Sequence, residues 1–205
     1  MIDTPLHLPR AILFDMDGTL TEPMLDFPRI KADMGLGDGP ILESLAQLDQ
    51  PRRRQAEAVL LRHERLAARN SRLNVGCREL LAWLAAQGIS IAVITRNSRL
   101  SADTVFRRHH LRIDVLITRE DGPFKPSPIA VQLACQRLRM GPDEVWMVGD
   151  GQYDIEAARA AQVRSVWISH GKPRPFAAEP WLSVNDLPEL ADILKRARRA
   201  GTGAT

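Results

Sequence analysis

The stretch Ala11-Ile-Leu-Phe-Asp-Met-Asp-Gly-Thr19 joins a short apolar run to two aspartates and a glycine. Short, nearly continuous apolar runs are typical of strands that are covered on both faces of a sheet. With this first run at 11–15, the sequence contains five such segments rich in β-branched residues, the others at 89–94, 113–117, 144–149 and 163–168. Helical patterns separate the later runs, so the sequence predicts an α/β fold with a doubly wound, Rossmann-like sheet of five parallel strands.

The helices of this core follow from apolar residues spaced three and four apart. They are predicted at 76–87, 99–110, 127–139, 153–161 and 186–199. Gly88 and Gly141 stand where the helices before them should end, because glycine readily adopts the left-handed conformation of a C-cap.

The first connection differs from the others because residues 22–74 contain no strand-like run. A helical pattern covers 51–72, with Ala56, Val59, Leu60, His63, Leu66 and Ala67 on one stripe. A structureless loop of this length is uncommon inside a compact domain. We predict an all-helical cap at 22–74, inserted after the first strand of a core formed by 1–21 and 75–205.

The net charge of +3 on 205 residues comes from the end of the chain. Four basic residues, Lys195, Arg196, Arg198 and Arg199, outweigh the whole excess, so the body is close to neutral. A basic run at a chain end is most often a solvated helix face. The composition therefore predicts no nucleic-acid partner.

The cysteine content and the lack of a long apolar run indicate in which cellular compartment the protein works. Cys77 and Cys135 lie inside apolar helical patterns and are predicted to be buried free thiols in a reducing environment. The first ten residues lack the features of a signal peptide, and no run approaches the roughly 18 apolar residues of a membrane span. We expect a cytoplasmic protein without a membrane partner.

Polar residues follow four of the predicted strands. They are Asp15 and Asp17 after the first strand, Thr95, Arg96 and Asn97 after the second, Lys125 after the third, and Asp150 and Asp154 after the fourth. In open parallel sheets, ligands bind at the carboxyl ends of the strands. The sequence therefore predicts one site at this edge of the sheet.

The four aspartates of this group would repel one another at neutral pH unless a cation neutralised them. Oxygen ligands without a nearby thiol or imidazole favour Mg²⁺, which usually keeps positions for water and for substrate phosphate. The ammonium group of Lys125 and the hydroxyl group of Thr95 suit phosphate oxygens. The predicted chemistry is phosphoryl transfer.

The ordered motifs resemble those of the haloacid dehalogenase-like (HAD) superfamily, and of its phosphatase branch in particular. They are Asp15-Met-Asp-Gly-Thr19, Thr95, Lys125-Pro-Ser-Pro128, and Gly149-Asp150 with Asp154. The phosphoglycolate phosphatase-like group, with a helical cap between the first two motifs, is the subgroup that the chain most resembles. The cap predicted here is shorter than the cap of that group.

The resemblance implies a Mg²⁺-dependent phosphatase that acts on a small phosphomonoester. Asp15 would be the nucleophile that forms an aspartyl-phosphate, and Asp17 the general acid and base. A carboxylate oxygen of Asp15, the backbone carbonyl of Asp17 and the carboxylate of Asp150 would hold Mg²⁺. Asp154 would support the metal's water shell or orient Lys125.

The same resemblance places Thr95 and Lys125 on the transferring phosphoryl group, beside the backbone amides of Arg96 and Asn97. Asp17 argues against a dehalogenase, whose family members lack a carboxylate at that position. A phosphomutase acting on a sugar phosphate and a non-catalytic phosphometabolite-binding module remain alternatives. The sequence leaves open the substrate, the side-chain role of Arg96, and the choice between monomer and homodimer.

Overall fold

The structure is a computed structural model that describes residues 7–202. Its core is one sheet of six parallel strands: β1 Ala11–Phe14, β2 Ser90–Ile94, β3 Val115–Ile117, β4 Val145–Gly149, β5 Arg164–Ile168 and β6 Leu182–Val184. The strand order is β3-β2-β1-β4-β5-β6. Because β2 and β4 lie on opposite sides of β1, the chain reverses its winding direction at β1, where such sheets bind ligands.

The predicted α/β class and doubly wound parallel sheet are confirmed, but the predicted number of five strands is wrong. The sixth strand pairs with β5 at the edge of the sheet, and Trp167 lies opposite Ser183 in its register. It has only three residues. A segment this short shows no periodicity that distinguishes it from a loop.

Five helices cover the two faces of the sheet: α4 Cys77–Ala86, α5 Arg99–His109, α6 Ile129–Leu138, α7 Gln152–Ala160 and α8 Leu187–Thr202. In β1, Ile12 and Phe14 face α4, α5 and α8, whereas Ala11 and Leu13 face α6 and α7. All four side chains are fully buried. This two-sided burial explains why the strands are apolar throughout rather than alternating.

One of the two predicted helix caps is wrong. Gly88 has a φ of 68° and follows Gln87, the C-cap residue of α4, as expected for a glycine at a helix end. At the end of α6, however, Arg139 adopts the left-handed conformation with a φ of 56°, and Gly141 instead precedes a short 3-10 helix. Helix α6 therefore ends at a left-handed residue two positions before Gly141, the glycine that was predicted to end it.

Three helices lie within the predicted cap segment: α1 Phe27–Met34, α2 Ile41–Ala46 and α3 Gln50–Asn70. They enclose a small apolar cluster of their own, built on Ile30, Ile41, Leu45, Ala56 and Leu60. The limits of the cap at 22 and 74 remain a prediction.

The predicted apolar stripe of α3 is partly wrong. The buried residues are Ala56, Leu60, Glu64 and Ala68, a narrow line at spacings of four. Leu66 is 61% exposed, and Ala68 packs in the main core rather than in the cap cluster. The helix therefore belongs to the cap at its start and to the core at its end.

Asn74 ties together the two chain segments that join the cap to the core. Its Nδ2 atom lies 3.2, 2.8 and 3.1 Å from the backbone carbonyl oxygens of Gly18, Thr19 and Thr21. Thr21 also forms a β-bridge with Leu73. These contacts keep the entry and exit of the cap segment side by side above β1.

Two further expectations concern the cysteines and the chain ends. Cys77 and Cys135 are buried and unpaired, and burial raises the pKa of Cys77 to about 12, so this thiol is unreactive. Within residues 7–202, no helix is long and apolar enough to cross a membrane. Residues 1–6 of the predicted core segment and 203–205 of the basic tail lie outside the described residues.

Candidate active site

A cavity of about 460 Å³ lies between the C-terminal edge of the sheet and the cap. All of the site residues predicted from the sequence line it: Asp15, Asp17, Thr95, Arg96, Asn97, Lys125, Asp150 and Asp154. The parallel strands bring together residues that are far apart in sequence, because β1, β2, β3 and β4 end at the same edge.

The turn after β1 places Asp15 and Asp17 at the C-terminal edge of the sheet. The backbone N–H of Asp15 donates to the carbonyl oxygen of Val148 at 2.8 Å, which continues the pairing of β1 with β4. Gly18 then has a φ of 89°, and a Cβ atom there would lie 2.3 Å from Oδ2 of Asp150. Glycine is required for both reasons, since a side chain would strain the turn and displace Asp150.

Lys125 is the central cation of the site. Its Nζ atom lies 2.5 Å from Oδ1 of Asp15 and 2.6 Å from Oδ1 of Asp154, and the residue is only 2% exposed. Burial alone would lower the pKa of Lys125, but the two carboxylates outweigh burial and raise it. The ammonium group is therefore charged at neutral pH and holds two aspartates in place.

Three carboxylates form a group that could hold a cation. Each of Asp15, Asp150 and Asp154 offers an oxygen atom, and these atoms lie within 4.8 Å of one another. Burial and the neighbouring aspartates raise the pKa of Asp15 to about 7 and that of Asp150 to about 6. An all-oxygen donor set whose members repel one another fits a hard divalent cation.

The carboxylates of this group have different partners. Both oxygens of Asp154 are engaged, one by Lys125 and the other by the backbone N–H of Gly151 at 3.0 Å. Asp150 accepts a weak hydrogen bond, 3.3 Å long, from the hydroxyl group of Thr19. Asp15 and Asp150 thus keep more free lone pairs than Asp154 does.

Asp17 faces the same cavity but does not contact Lys125. Burial and the adjacent charge of Asp15 raise the pKa of Asp17 to about 7. A carboxyl group with a pKa near 7 can both donate and accept a proton at neutral pH.

The segment after β2 forms another wall. Thr95 is buried, and its hydroxyl oxygen accepts a hydrogen bond of 3.1 Å from the backbone N–H of Asn97. The side chain of Arg96 turns toward the cap and forms an ion pair of 2.7 Å with Glu43. The three neighbouring residues therefore contribute a hydroxyl group, backbone amides and a guanidinium group to one side of the cavity.

The cap supplies a largely apolar wall opposite the aspartates. It consists of Pro23, Leu25, Phe27, Pro40, Ile41, Leu42 and Leu60, with Lys31 among them. Lys31 donates to the carbonyl oxygen of Asp38 at 3.0 Å, and no carboxylate within residues 7–202 forms an ion pair with it.

Sequence reasoning missed several residues that shape the site. Glu43 and Glu64 come from the cap, and the ring of Tyr153 lies against the guanidinium group of Arg96. His170 contacts the carbonyl oxygen of Gly18 through Nε2 at 2.7 Å. None of these residues belongs to a motif, and their contacts connect positions far apart in the chain, so local patterns carry no sign of them.

A doubly wound parallel sheet with a helical cap over buried carboxylates and a lysine defines a capped α/β enzyme. A family model described as haloacid dehalogenase-like hydrolase matches residues 25–162, more than half of the chain. The protein belongs to the haloacid dehalogenase-like hydrolases, as the motifs predicted.

Individual relatives agree with this assignment. A haloacid dehalogenase-like hydrolase domain-containing protein of Arabidopsis thaliana is 30% identical over 91% of this chain and 84% of its own length. A phosphoglycolate phosphatase of Chromobacterium violaceum is 28% identical over 91% of this chain and 96% of its own length. The crystal structure of a HAD-superfamily hydrolase from Ehrlichia chaffeensis has the same fold, with a TM-score of 0.68, 22% identity, and coverage of 94% of this chain and 99% of that one.

Proposed function

We propose that the protein is a Mg²⁺-dependent phosphatase that hydrolyses a small phosphomonoester through an aspartyl-phosphate on Asp15. The observation that carries this proposal is the buried Lys125, whose Nζ atom joins Asp15 and Asp154 beside Asp150 in a capped cavity. The phosphatase named among the relatives supports the same reaction class. We further propose that the enzyme works in the cytoplasm.

Asp15 is the nucleophile in this proposal. One carboxylate oxygen attacks the phosphorus atom, the P–O bond to the leaving group breaks, and the phosphoryl group remains on Asp15. Lys125 holds the other oxygen and neutralises negative charge on the transferring group. Water then attacks the aspartyl-phosphate, which releases inorganic phosphate and regenerates the carboxylate.

Asp17 moves the proton in both steps. Its pKa of about 7 lets it protonate the leaving alcohol in the first step and accept a proton from water in the second. It does not contact Lys125, which is already occupied by two other carboxylates. Asp15 and Asp17 therefore have separate roles although they are two residues apart.

Asp15, Asp150 and the backbone carbonyl of Asp17 are the residues that would hold Mg²⁺. The bound ion would supply positive charge for the phosphate oxygens and for the carboxylates around them. Asp154 has both oxygens engaged, and it therefore orients Lys125 and the turn at Gly151.

Thr95 and the backbone amide of Arg96 would bind the remaining phosphate oxygens, and the Asn97 N–H, which donates to the Thr95 hydroxyl oxygen, would orient that hydroxyl group beside them. The apolar cap wall would surround the leaving group, and a cavity of about 460 Å³ suits a small metabolite. Phosphoglycolate and other short phosphorylated acids and sugars are the first candidates.

The proposal predicts Mg²⁺-dependent release of inorganic phosphate from some members of a panel of small phosphate esters. Phosphate release is measured by a colorimetric assay, and excess chelator should abolish it. Conversion of a sugar phosphate to its isomer with little free phosphate would indicate the mutase alternative. Binding of esters without turnover would indicate a non-catalytic module.

The raised pKa values predict how the cation affects stability at different pH. Asp15 and Asp17 have pKa values of about 7 in the folded state, so the folded protein binds more protons than the unfolded chain between about pH 4 and 7. These groups therefore contribute less to stability as the pH rises through 7. A divalent cation that binds the deprotonated carboxylates should reverse this loss.

We expect the increase in melting temperature on adding Mg²⁺ to be larger at pH 8 than at pH 5. At a Mg²⁺ concentration about 100 times its Kd, the stabilisation is about 2.7 kcal/mol. For a chain of this size, that corresponds to roughly 5–10 °C. The measurement is thermal unfolding in Mg²⁺ and in chelator, with NaCl at equal ionic strength as the control. Equal shifts at the two pH values would contradict the proposed carboxylate site.

A further inference from the structure

The guanidinium group of Arg96 lies between two aromatic rings at the side of the cavity. Its Cζ atom is 4.7 Å from the centre of the Phe124 ring and 4.5 Å from that of the Tyr153 ring. Phe124 immediately precedes Lys125, and Tyr153 belongs to α7, which also carries Asp154. Both rings thus come from segments that carry a residue of the site, Lys125 in one case and Asp154 in the other.

Hydrogen bonds connect the same guanidinium group to two further places. Nη2 donates to Oε2 of Glu43 at 2.7 Å, and Nη1 donates to Oε1 at 3.0 Å, which makes a bidentate pair. Nη1 also donates to the backbone carbonyl oxygen of Lys125. Hydrogen bonds from Arg96 lower the pKa of Glu43 although burial acts in the opposite direction.

A second ion pair fixes a different part of the cap. Glu64 of α3 is 3% exposed; it pairs with Arg119, and its Oε2 accepts from the backbone N–H of Ser98 at 3.1 Å. Separating these groups would leave a charge buried without a partner, which is costly. The end of α3 is therefore anchored to the core.

The start of the cap, α1 and α2, has a weaker attachment. These helices pack on α3, and Gly35, Gly37 and Gly39 lie in the link between them. In the described part of the chain, Glu43–Arg96 is the ion pair that joins this segment to the core. Any opening of the cap would therefore move α1 and α2 while α3 stays in place.

We propose that Arg96 is a positioning residue that couples closure of the α1–α2 segment to the placement of Lys125. This inference rests on the proposed phosphatase function. When Glu43 binds both Nη atoms, the guanidinium group is held in the orientation in which Nη1 reaches the Lys125 carbonyl. When Glu43 leaves, the rings still hold the guanidinium plane, but its orientation within that plane is free.

The test is the Glu43→Gln variant, which keeps the size of the side chain and removes its charge. We expect kcat to fall about tenfold, equivalent to ~1.4 kcal/mol, with KM changed less than about twofold. Arg96→Lys should behave similarly, because lysine keeps the charge but cannot make the bidentate contact. The kcat of the Glu43→Gln/Arg96→Lys double variant should be no lower than that of Arg96→Lys alone, because both substitutions remove the same interaction.

A matched control comes from an ion pair of the cap that does not reach the core. Arg53 and Glu57 are 2.7 Å apart on the exposed face of α3, and Glu57→Gln should leave kcat and KM unchanged. If Arg96 instead bound an anionic leaving group directly, Glu43→Gln would free it. KM would then fall for anionic substrates while kcat stayed constant, and this outcome would overturn the proposal.

Hydrogen–deuterium exchange decides the coupling independently of turnover. In Glu43→Gln, exchange should increase both in residues 27–46 and in the segment 123–128, which contains the Ser127 N–H bonded to the Phe124 carbonyl at 3.0 Å. An increase confined to 27–46, or no increase, would refute the coupling. Absence of phosphate release by the wild-type protein would refute the phosphatase function. The exchange result would still show whether Arg96 couples the α1–α2 segment to residues 123–128.

Discussion

Replacing Asp15 by Asn should abolish turnover while the protein stays folded. A carboxamide has the shape of the carboxylate but is a far weaker nucleophile, so we expect kcat to fall by at least about 10³-fold. Lys125 keeps its partner Asp154, 2.6 Å away, and the variant loses a carboxylate that repels Asp150 and Asp154. The melting temperature in chelator should therefore be equal to or above that of the wild type.

The measurements are phosphate release with the best ester of the panel, thermal unfolding, and trapping of the phosphorylated protein after rapid acid quenching. The wild type should give an acid-stable, base-labile phosphoprotein, and Asp15→Asn should give none. Asp192→Asn changes an exposed aspartate of α8 and serves as the matched control. Undiminished turnover in Asp15→Asn would contradict the covalent mechanism.

Replacing Lys125 by Met should reduce both stability and activity. Methionine has a similar length but removes the cation that joins Asp15 and Asp154 in a buried site. Breaking a buried ion pair typically costs about 3–5 kcal/mol. We expect a loss of stability of this order in chelator, partly recovered with Mg²⁺, and a fall in kcat of about 10²–10³-fold because the phosphoryl charge loses a fixed donor.

Urea unfolding with and without Mg²⁺ and steady-state kinetics measure these two effects. Lys172→Met, at an exposed position, is the control for the loss of a surface lysine. Lys125→Arg keeps the positive charge and should remain folded if Lys125→Met does not. Near-wild-type kcat in folded Lys125→Met would show that this residue does not act on the phosphoryl group, whereas Lys125→Arg, which keeps a charged donor, should retain more activity than Lys125→Met.

The local patterns of the chain were sufficient for five of the six described strands and for the groups that follow them. Two-sided burial imposes apolar residues at every position of β1, so Ala11 to Phe14 identify a central strand without knowledge of their neighbours. The polar residues after β1 and β4 indicate the edge where these strands end, and the structure places Asp15 and Asp150 together there. Short edge strands escape this reasoning, and β6 was missed for that reason.

The cap shows where local patterns fail. A stripe of apolar residues predicts that a helix is buried, but it does not say against what, and α3 packs against the cap cluster at Leu60 and against the core at Ala68. Glu64 looks like a solvated helix residue in the sequence, yet it is 3% exposed and paired with Arg119. Its partner lies 55 residues away, so only the folded chain brings the two charges together.

The sequence by itself determined the parallel α/β fold and the residue types of the site, because strand burial and the chemistry of carboxylates and lysine act through local patterns. Only the tertiary structure decided which of these groups form hydrogen bonds and ion pairs with one another. It brings Lys125 between Asp15 and Asp154, so that Asp150 remains the less engaged carboxylate, and it turns Arg96 toward Glu43. These pairings depend on distances between strands and helices that are remote in the chain, and such distances are set by packing of the whole domain.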